Sequence, residues 1–539
     1  MYLLGQGIFA QKLTLKITSK EPLENTFLQK INYTDSHKDT LSLYKEIEKI
    51  DLLLKKTGYF LHQKEITQAI KNEYTVSYTL GFRVQSVHIY IPNTVNHKKR
   101  GDTLKLKTGN VESFLNTISN QLDQEGKSFS EVSLKNLKLK KNSLLATLQV
   151  NERNVRKIDN IIIKGYSSIS DRVITYDLNV KKNDVFSSEK LNEISTLTRS
   201  LLFVEEIKPP EVLFAKDSTI LYLYLKKKSN NSFDGIVSFA SNDNNNKLLF
   251  NGTVDLKLKN LFDGGENVSV FWNSIGNQKQ EFSLAAQIPY VFNSRISPDV
   301  RFNLYKQDST FLNTEFNPKL RYKINSKSSV SLNYLNLTSN NLKESITSNN
   351  IESFDRSLLG IGYQYKSPKT TVLGQTGLNI SVEALFGNRN TDTKKSQQYE
   401  FNLEVSNTFV LNERNQIYIR NQTGILLSDF LLENEVFRIG GANSIRGFNE
   451  QSIFTSQFSY INMEYRYVTS RTSYLYSISD IGFIKTINDL TESIFGLGFG
   501  YLFSIKKTQV NLGLVVGRQP SEGFNLNSSK FIINWKSFF

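Results

Sequence analysis

Residues 437–450 read Phe-Arg-Ile-Gly-Gly-Ala-Asn-Ser-Ile-Arg-Gly-Phe-Asn-Glu, and they interrupt a long field of segments in which apolar and polar residues alternate. Gly440, Gly441 and Gly447 permit backbone turns closed to other residues. Within Ile445-Arg446-Gly447-Phe448 they bracket a single guanidinium, whose planar fork wants a carboxylate partner. The stretch reads as a loop folded back onto its own barrel. A surface turn with an incidental arginine is the alternative, and the rest of the chain decides between them.

Outward from this loop the period is two. Val254, Leu256 and Leu258 continue the alternation of Leu248, Phe250 and Gly252 against Leu249, Asn251, Thr253, Asp255 and Lys257. Tyr399, Phe401, Leu403 and Val405 alternate with Glu400, Asn402, Glu404 and Ser406, and Phe495 to Phe503 interleave with Gly496, Gly498 and Gly500. One greasy face per strand suits either a soluble two-sheet protein or a membrane barrel. Abundant Tyr and Phe, long strands, and short turns alternating with polar loops at 340–350 and 387–398 favour the barrel. Sixteen candidate strands fit into residues 229–539, an even number that returns the C-terminus to the side of its N-terminal neighbour.

Composition narrows the alternatives. The chain of 539 residues is too long for one ordinary domain, and 39% hydrophobic content allows ample burial. No run approaches the ~18 apolar residues that a spanning helix needs, a test that a barrel escapes. There is no cysteine, which excludes disulfides and thiolate metal sites. His37, His62, His88 and His97 form no ligand pattern, so neither a metal nor a cofactor is expected. Residues 1–228 carry 36 Lys and Arg against 25 Asp and Glu, and the remainder 30 against 26. The excess is dispersed as single lysines and short pairs, which reads as a solvated basic surface and not as a nucleic-acid groove. Met1–Gln11 reads as the end of a secretory signal or as a first strand.

Residues 12–228 hold three copies of one small α+β unit, at 12–81, 82–153 and 154–228, with a period of about 70 residues. In the third, Lys157–Gly165 is a β-branched strand and a short helix follows over 171–178. A second helix, capped by Ser187 or Ser188, carries Leu191, Ile194, Leu197 and Leu201, and two strands close the unit near 203–207 and 220–225. In the first, Leu43, Ile47, Ile50 and Leu54 form the helix face. In the second, Val111, Phe114, Leu115, Ile118 and Leu122 do so, and its first helix is weak. Gly58 and Gly126 fit the left-handed position past each of these helices. The third copy resembles a POTRA domain, the periplasmic module of BamA-like outer-membrane proteins, and the first two resemble it more loosely. Three generic α+β domains are the alternative.

With the barrel, these units resemble the BamA/TamA outer-membrane assembly superfamily, most like TamA in having three. The turn Asn260-Leu-Phe-Asp-Gly-Gly-Glu266 is similar to one that BamA relatives carry after their second strand, and the loop at 437–450 falls between the eleventh and twelfth strands, as in that superfamily. The resemblance makes Arg446 the loop arginine, Asp480 in Ser479-Asp480-Ile481-Gly482 its partner, and Glu464 a further lumenal candidate. Ile478 stands where the family shows an aromatic, with Tyr476 further back. Phe531, Ile533, Trp535 and Phe539 share a face and resemble the signal by which bacterial barrels are recognised for assembly.

The resemblance implies an α+β tandem followed by an all-β transmembrane barrel in the bacterial outer membrane, with its N-terminal domains in the periplasm. The expected role is assembly or translocation: the POTRA domains capture unfolded outer-membrane or secreted clients, and the barrel inserts or passes them. Periplasmic or lipoprotein accessory subunits and the lipid bilayer are the other expected partners; nucleic acid is not. Dedicated two-partner secretion of one exoprotein and a passive porin are the alternatives. No enzyme signature is present: there is no G-x-S-x-G, P-loop or metal cluster.

Overall fold

A computed structural model describes residues 12–69, 72–95, 100–216, 218–241, 248–275, 279–342, 350–367, 377–518 and 523–539. The Met1–Gln11 segment and His97 lie outside these residues. The chain divides into two bodies, one reaching to Lys157 and including Val185–Lys190, the other comprising Ile158–Asp184 and Leu191–Phe539.

The first body holds two small sheets. In the N-terminal one, Leu13–Thr18 and Glu73–Thr79 run parallel at the centre, flanked by Ser36–His37 and Gln63–Ala69. Helix Thr40–Lys56 begins at Asp39, whose carboxylate accepts the Ser42 N–H at 2.7 Å, and buries Leu43, Ile47, Ile50 and Leu54. Gly58 ends it at φ 106°, where a Cβ would lie 2.2 Å from the Val84 carbonyl oxygen. The next sheet orders Thr103–Lys107, Ser86–Tyr90, Ser143–Asn151 and Glu131–Lys140. Where the sequence suggested a weak first helix there is a strand, because Leu104 and Leu106 alternate with lysines at period two and pack inward. Helix Val111–Gln124 supplies the cover through Ile118 and Leu122.

The third unit pairs Asn160–Gly165 in parallel with Thr219–Lys227, which in turn pairs antiparallel with Val204–Phe214. Leu221, Leu223 and Leu225 are buried, as are Val173, Ile174, Ile194 and Leu197 of its helices, Asp171–Tyr176 and Ser188–Ser200. The two closing strands are longer than their apolar residues suggested, since polar outer-face positions extend them.

This unit is tied to the barrel through the Asn260–Glu266 turn. Asn260, Asp263 and Gly265 all take left-handed φ, at 57°, 59° and 85°. That curl aims the Asp263 carboxylate at the Tyr166 hydroxyl, which donates at 2.5 Å, and at the Lys227 ammonium at 2.6 Å. Burial and the Asp263 carboxylate together push the Tyr166 hydroxyl's pKa upward, so it stays a donor. Asn260 also donates to Tyr166, at 2.8 Å. One turn further on, Arg172 reaches the Tyr290 carbonyl at 3.2 Å, and Asp177 takes the Tyr290 hydroxyl at 2.5 Å as well as the Lys323 ammonium.

Sixteen antiparallel strands, from Ser232–Ser241 to Lys530–Phe538, close into a barrel. Alternation places Leu332, Ile361, Phe499 and Trp535 outward, 53–69% exposed, while Asn333, Arg356 and Gln398 face inward with 3% exposure or less. The expected loop at 387–398 is mostly strand: Asn379–Thr391 and Lys395–Val410 meet in a tight hairpin. Its polar residues had read as a loop, yet they face a polar lumen, where Arg389 and Gln398 are fully buried. The strand before the 340–350 loop runs to Asn341, and residues 343–349 fall outside the described set, as do the side chains of Leu248–Asn251.

Replacing Asp263 with alanine removes two charge-assisted bonds and should weaken the seating of the third unit by about 1–3 kcal/mol. Hydrogen exchange should then quicken over residues 166–178 while the barrel strands keep their protection; equal protection in both proteins would show the turn to be inert.

Candidate functional site

Between the eleventh strand, Asn415–Ser428, and the twelfth, Gln457–Ser470, the chain turns into the barrel. Phe437–Ile439 and Ile453–Thr455 pair as a short hairpin, and its tip carries Arg446. Gly440 and Gly441 have φ of 110° and 101°, and a Cβ on Gly441 would lie 1.8 Å from the Glu450 carboxylate. Gly447, at φ 97°, passes so close to the fifteenth strand that its Cβ would meet the Gly517 nitrogen at 2.6 Å. The three glycines therefore answer a left-handed backbone and a close approach together.

The wall is shaped to receive this tip. Gly496 leaves space for the Arg446 carbonyl, which would be 2.2 Å from any Cβ there. Ile445 is fully buried with Ile439, Phe458, Tyr460, Ile484 and Ile494, and Phe448 packs against the same cluster. Aromatic contact between Phe437 and Phe458, edge to face at 5.2 Å, holds the root of the hairpin.

Every nitrogen of the Arg446 guanidinium is engaged. Nε and Nη2 donate to Asp480 Oδ2 and Oδ1 at 2.9 and 2.6 Å, and Nη1 donates to Glu464 Oε1 at 2.5 Å. The Arg446 backbone N–H adds a fourth bond to Asp480, at 2.8 Å. Strand register explains the convergence: Asn462 pairs with Asp480, and Asp480 with Gly496, so the carboxylate lies beside a wall position without a side chain. Glu464 spends its other oxygen on Arg466, at 2.7 Å, and Arg466 stacks 4.2 Å from the Tyr418 ring. Two cations thus meet two carboxylates, and the buried cluster is neutral. Asn462 and Arg420 donate to the Ser444 and Asn443 carbonyls of the tip, at 2.8 and 2.9 Å.

A second ionic contact, absent from the sequence reading, anchors the incoming limb of the loop. Arg389 and Glu435 are both sealed from solvent and pair at 2.6 Å, with Gln398 donating to Glu435 at 2.8 Å and Phe430 lying 4.0 Å from the guanidinium. Arg356 pairs with Glu400 alongside. Asn434 donates to the Ser339 hydroxyl at 2.7 Å and its carbonyl accepts from Asn313, also at 2.7 Å. This network is less complete: Nε of Arg389, Nε of Arg356, Oε1 of Gln398 and Oδ1 of Asn434 are buried without a partner among the described residues. A cavity of about 430 Å³, lined by Arg356, Glu400, Glu435 and Arg438, adjoins it. The available signal was Glu400, on a face already read as polar; what Arg389 would meet inside depended on where the loop lay.

Gly440, Gly441, Ile445, Arg446, Gly447, Phe448, Glu464 and Asp480 are therefore brought together. The C-terminal residues are elsewhere. Phe531, Ile533 and Trp535 line the outer face of the last strand at 59–65% exposure, and Phe539 follows the strand's end, its N–H donating to the Asn231 carbonyl at 3.1 Å. Ile478 and Tyr476 both point inward and are buried. Among the described residues no cluster suited to a metal ion occurs, and His37 and His62 bond to the Thr34 and Tyr59 carbonyls at 2.8 Å.

Residues 266–502 match the family model described as haemolysin secretion/activation protein ShlB/FhaC/HecB. The structure of CdiB from Escherichia coli aligns at 12% identity over 93% of this chain and 97% of its own, with a TM-score of 0.53. CdiB from Acinetobacter baumannii aligns at 13% identity over 92% and 96%, with a TM-score of 0.51. BamA from Haemophilus ducreyi lacking POTRA domains 1–3 reaches a TM-score of 0.45 at 12% identity over 82% and 96%, a level that carries no weight. No curated protein sequence matches the chain. At these identities the likeness speaks to the fold alone.

Arg446→Ala should destabilise the folded protein by about 3–5 kcal/mol, because it leaves Asp480 buried without its counterion and Glu464 with Arg466 alone. Arg446→Lys should recover only part of the loss, since one ammonium cannot reproduce the two-pronged contact. Heat-modifiability on gels measures both; a lysine variant as stable as the parent would refute the bidentate account.

Proposed function

We propose that this chain, which has the BamA/TamA-type architecture of POTRA-like units ahead of a sixteen-stranded outer-membrane barrel, passes client polypeptide through that membrane, with secretion of a dedicated exoprotein as its leading role. The observation that carries this reading is the match over residues 266–502, which runs from the third barrel strand into the fourteenth and takes in the lumenal loop. It moves two-partner secretion ahead of assembly, the role that the TamA-like number of units had put first.

In this reading the N-terminal units lie in the periplasm and offer sheet edges to an unfolded client. The edges differ. Val204–Phe214 of the third unit carries Pro209 and Pro210 and shifts register there, so it lacks the N–H donors that an added strand needs. Gln63–Ala69 and Glu131–Lys140, at the edges of the first two sheets, contain no proline, and Gln63–Ala69, which holds its register throughout where Glu131–Lys140 shifts between Lys135 and Lys138, is the better receptor. Accessory subunits of the periplasm or of lipoprotein type would dock on the same units.

Insertion of other barrel proteins is the second reading, favoured by the seam. First and second strands stay in register from Ser232–Lys257 to Ser241–Leu248. The first and last are paired, among the described residues, at Ser232–Phe538 and Phe233–Ser537. A short closing pair leaves strand edges that a client could extend. No enzymatic step belongs to either reading.

The test co-expresses the chain with the product of a neighbouring exoprotein gene and measures that product in the medium. Loss of the exoprotein on deletion, together with unchanged levels of other outer-membrane barrels, is the expected outcome. A general loss of barrels would transfer the role to insertion, and a steady large conductance with no client defect would make the chain a passive pore. In the same assay Arg446→Ala, at intact barrel levels, should abolish export.

A further inference from the structure

At the barrel end that receives the third unit, a pocket of about 440 Å³ opens between Leu202 and Phe203 of that unit, the lumenal residues Arg321, Lys323 and Lys366, and Lys327 of the turn at the rim. Its carboxylates are already committed. Asp177 holds Lys323 and the Tyr290 hydroxyl, and Asp299 holds Arg321 at 3.1 Å. Glu266 accepts the N–H groups of Phe262 and Gly264 at 3.3 Å within its own turn. Further in, Glu383 holds Lys319 at 2.8 Å and Glu404 holds Arg420 at 3.3 Å.

Lys327 and Lys366 are left over. Lys327 closes the turn that leads into Ser328–Asn341 and Lys366 ends the neighbouring strand Phe354–Lys366; the Lys366 N–H donates to the Lys327 carbonyl at 2.8 Å, both residues are exposed, and among the described residues neither is ion-paired. With Lys259 also in the lining to offset the Glu266 carboxylate, the five cations Lys259, Arg321, Lys323, Lys327 and Lys366 face the three carboxylates Asp177, Glu266 and Asp299, a local excess of two positive charges in a concave mouth with low-dielectric walls, which concentrates their field on whatever enters.

We propose that this mouth is a receiving site for acidic stretches of an extended polypeptide, the carboxylates meeting Lys327 and Lys366 and the apolar neighbours resting on Leu202 and Phe203. The inference rests on the transport reading given above and names the chemistry of the segment that enters first. A volume of this size holds a short run of extended chain and excludes a folded domain. Anionic lipid headgroups are the other source of negative charge, and strand alternation disfavours them. On the strands involved, Leu320, Tyr322, Ile361 and Tyr363 take the lipid face, 41–69% exposed, whereas Arg321, Lys323 and Lys366 turn to the lumen.

The chain has no cysteine, so a single Ser329→Cys substitution places one fluorophore in the mouth of the otherwise complete protein. Purified protein in phosphatidylcholine nanodiscs is titrated with two unstructured peptides of equal length, one with glutamate and one with lysine at every third position. The acidic peptide should change the emission at concentrations about tenfold below the basic one, and Lys327→Gln with Lys366→Gln should abolish that preference. The preference should also fade as salt rises from ~0.05 to ~0.5 M. Equal response to both peptides in the parent overturns the proposal. So does a response to phosphatidylglycerol nanodiscs that lysine removal abolishes while peptides produce none. Secretion by the double lysine variant separates the two levels: discrimination between peptides by a chain whose deletion costs no client would sink the transport reading and keep the site, and export without discrimination would do the reverse.

Discussion

A guanidinium with all three nitrogens bonded to carboxylates, shut inside a cylinder of strands, is the contact on which the loop's position depends. On a surface the same pair would contribute ~0–1 kcal/mol. Inside, the alternatives to pairing are a desolvated Arg446, Asp480 or Glu464, each far costlier than the entropy of ordering the loop. The cluster of Arg446, Arg466, Asp480 and Glu464 is neutral only when the loop is in place, so barrel and loop specify one another.

Glycine makes that contact sterically possible. The wall strands could not bring Asp480 to the loop backbone if Gly496 carried a side chain, and the tip could not lie against the fifteenth strand without Gly447 and Gly517. The second anchor, at Arg389 and Glu435, is chemically similar but less complete, with polar atoms left unpartnered beside a cavity. A fully bonded network rigidifies, whereas a partly bonded one is poised nearer to rearrangement. The two limbs of the loop are thus held by networks of unequal completeness. The same economy of charge recurs at the other end of the barrel, where Asp177 and Asp263 tie the third unit to turns and leave two lysines free for an incoming segment.

Much of this was legible in the residues. Period two in 229–539 gave sixteen strands and their facing, including Glu464 inward and Ile461 outward, because alternation across a pleat leaves no other choice once one face is greasy. Apolar positions at helical spacing marked the buried faces of the small units, as Leu43, Ile47, Ile50 and Leu54 show. The errors fell where polarity was read as looseness. The 387–398 segment is rich in Asn, Thr and Lys yet forms a hairpin, and the second unit, whose first helix reads as weak, has the strand Thr103–Lys107 ahead of its long helix, since in both places the deciding surface lay across the sheet and not along the chain.

The sequence by itself determined which residues are glycine, which strand faces are polar, and that one arginine stands in a loop with carboxylates in the next two strands. Only the tertiary structure decided that Arg446 takes both Asp480 and Glu464, that Arg389 finds Glu435, and that Lys327 and Lys366 find no carboxylate among the described residues. The physical reason is that alternation is local, fixed by backbone pleat, whereas ionic partners inside a barrel are set by strand register and by the path of a loop crossing the lumen, and neither quantity is encoded in the spacing of residues along the chain.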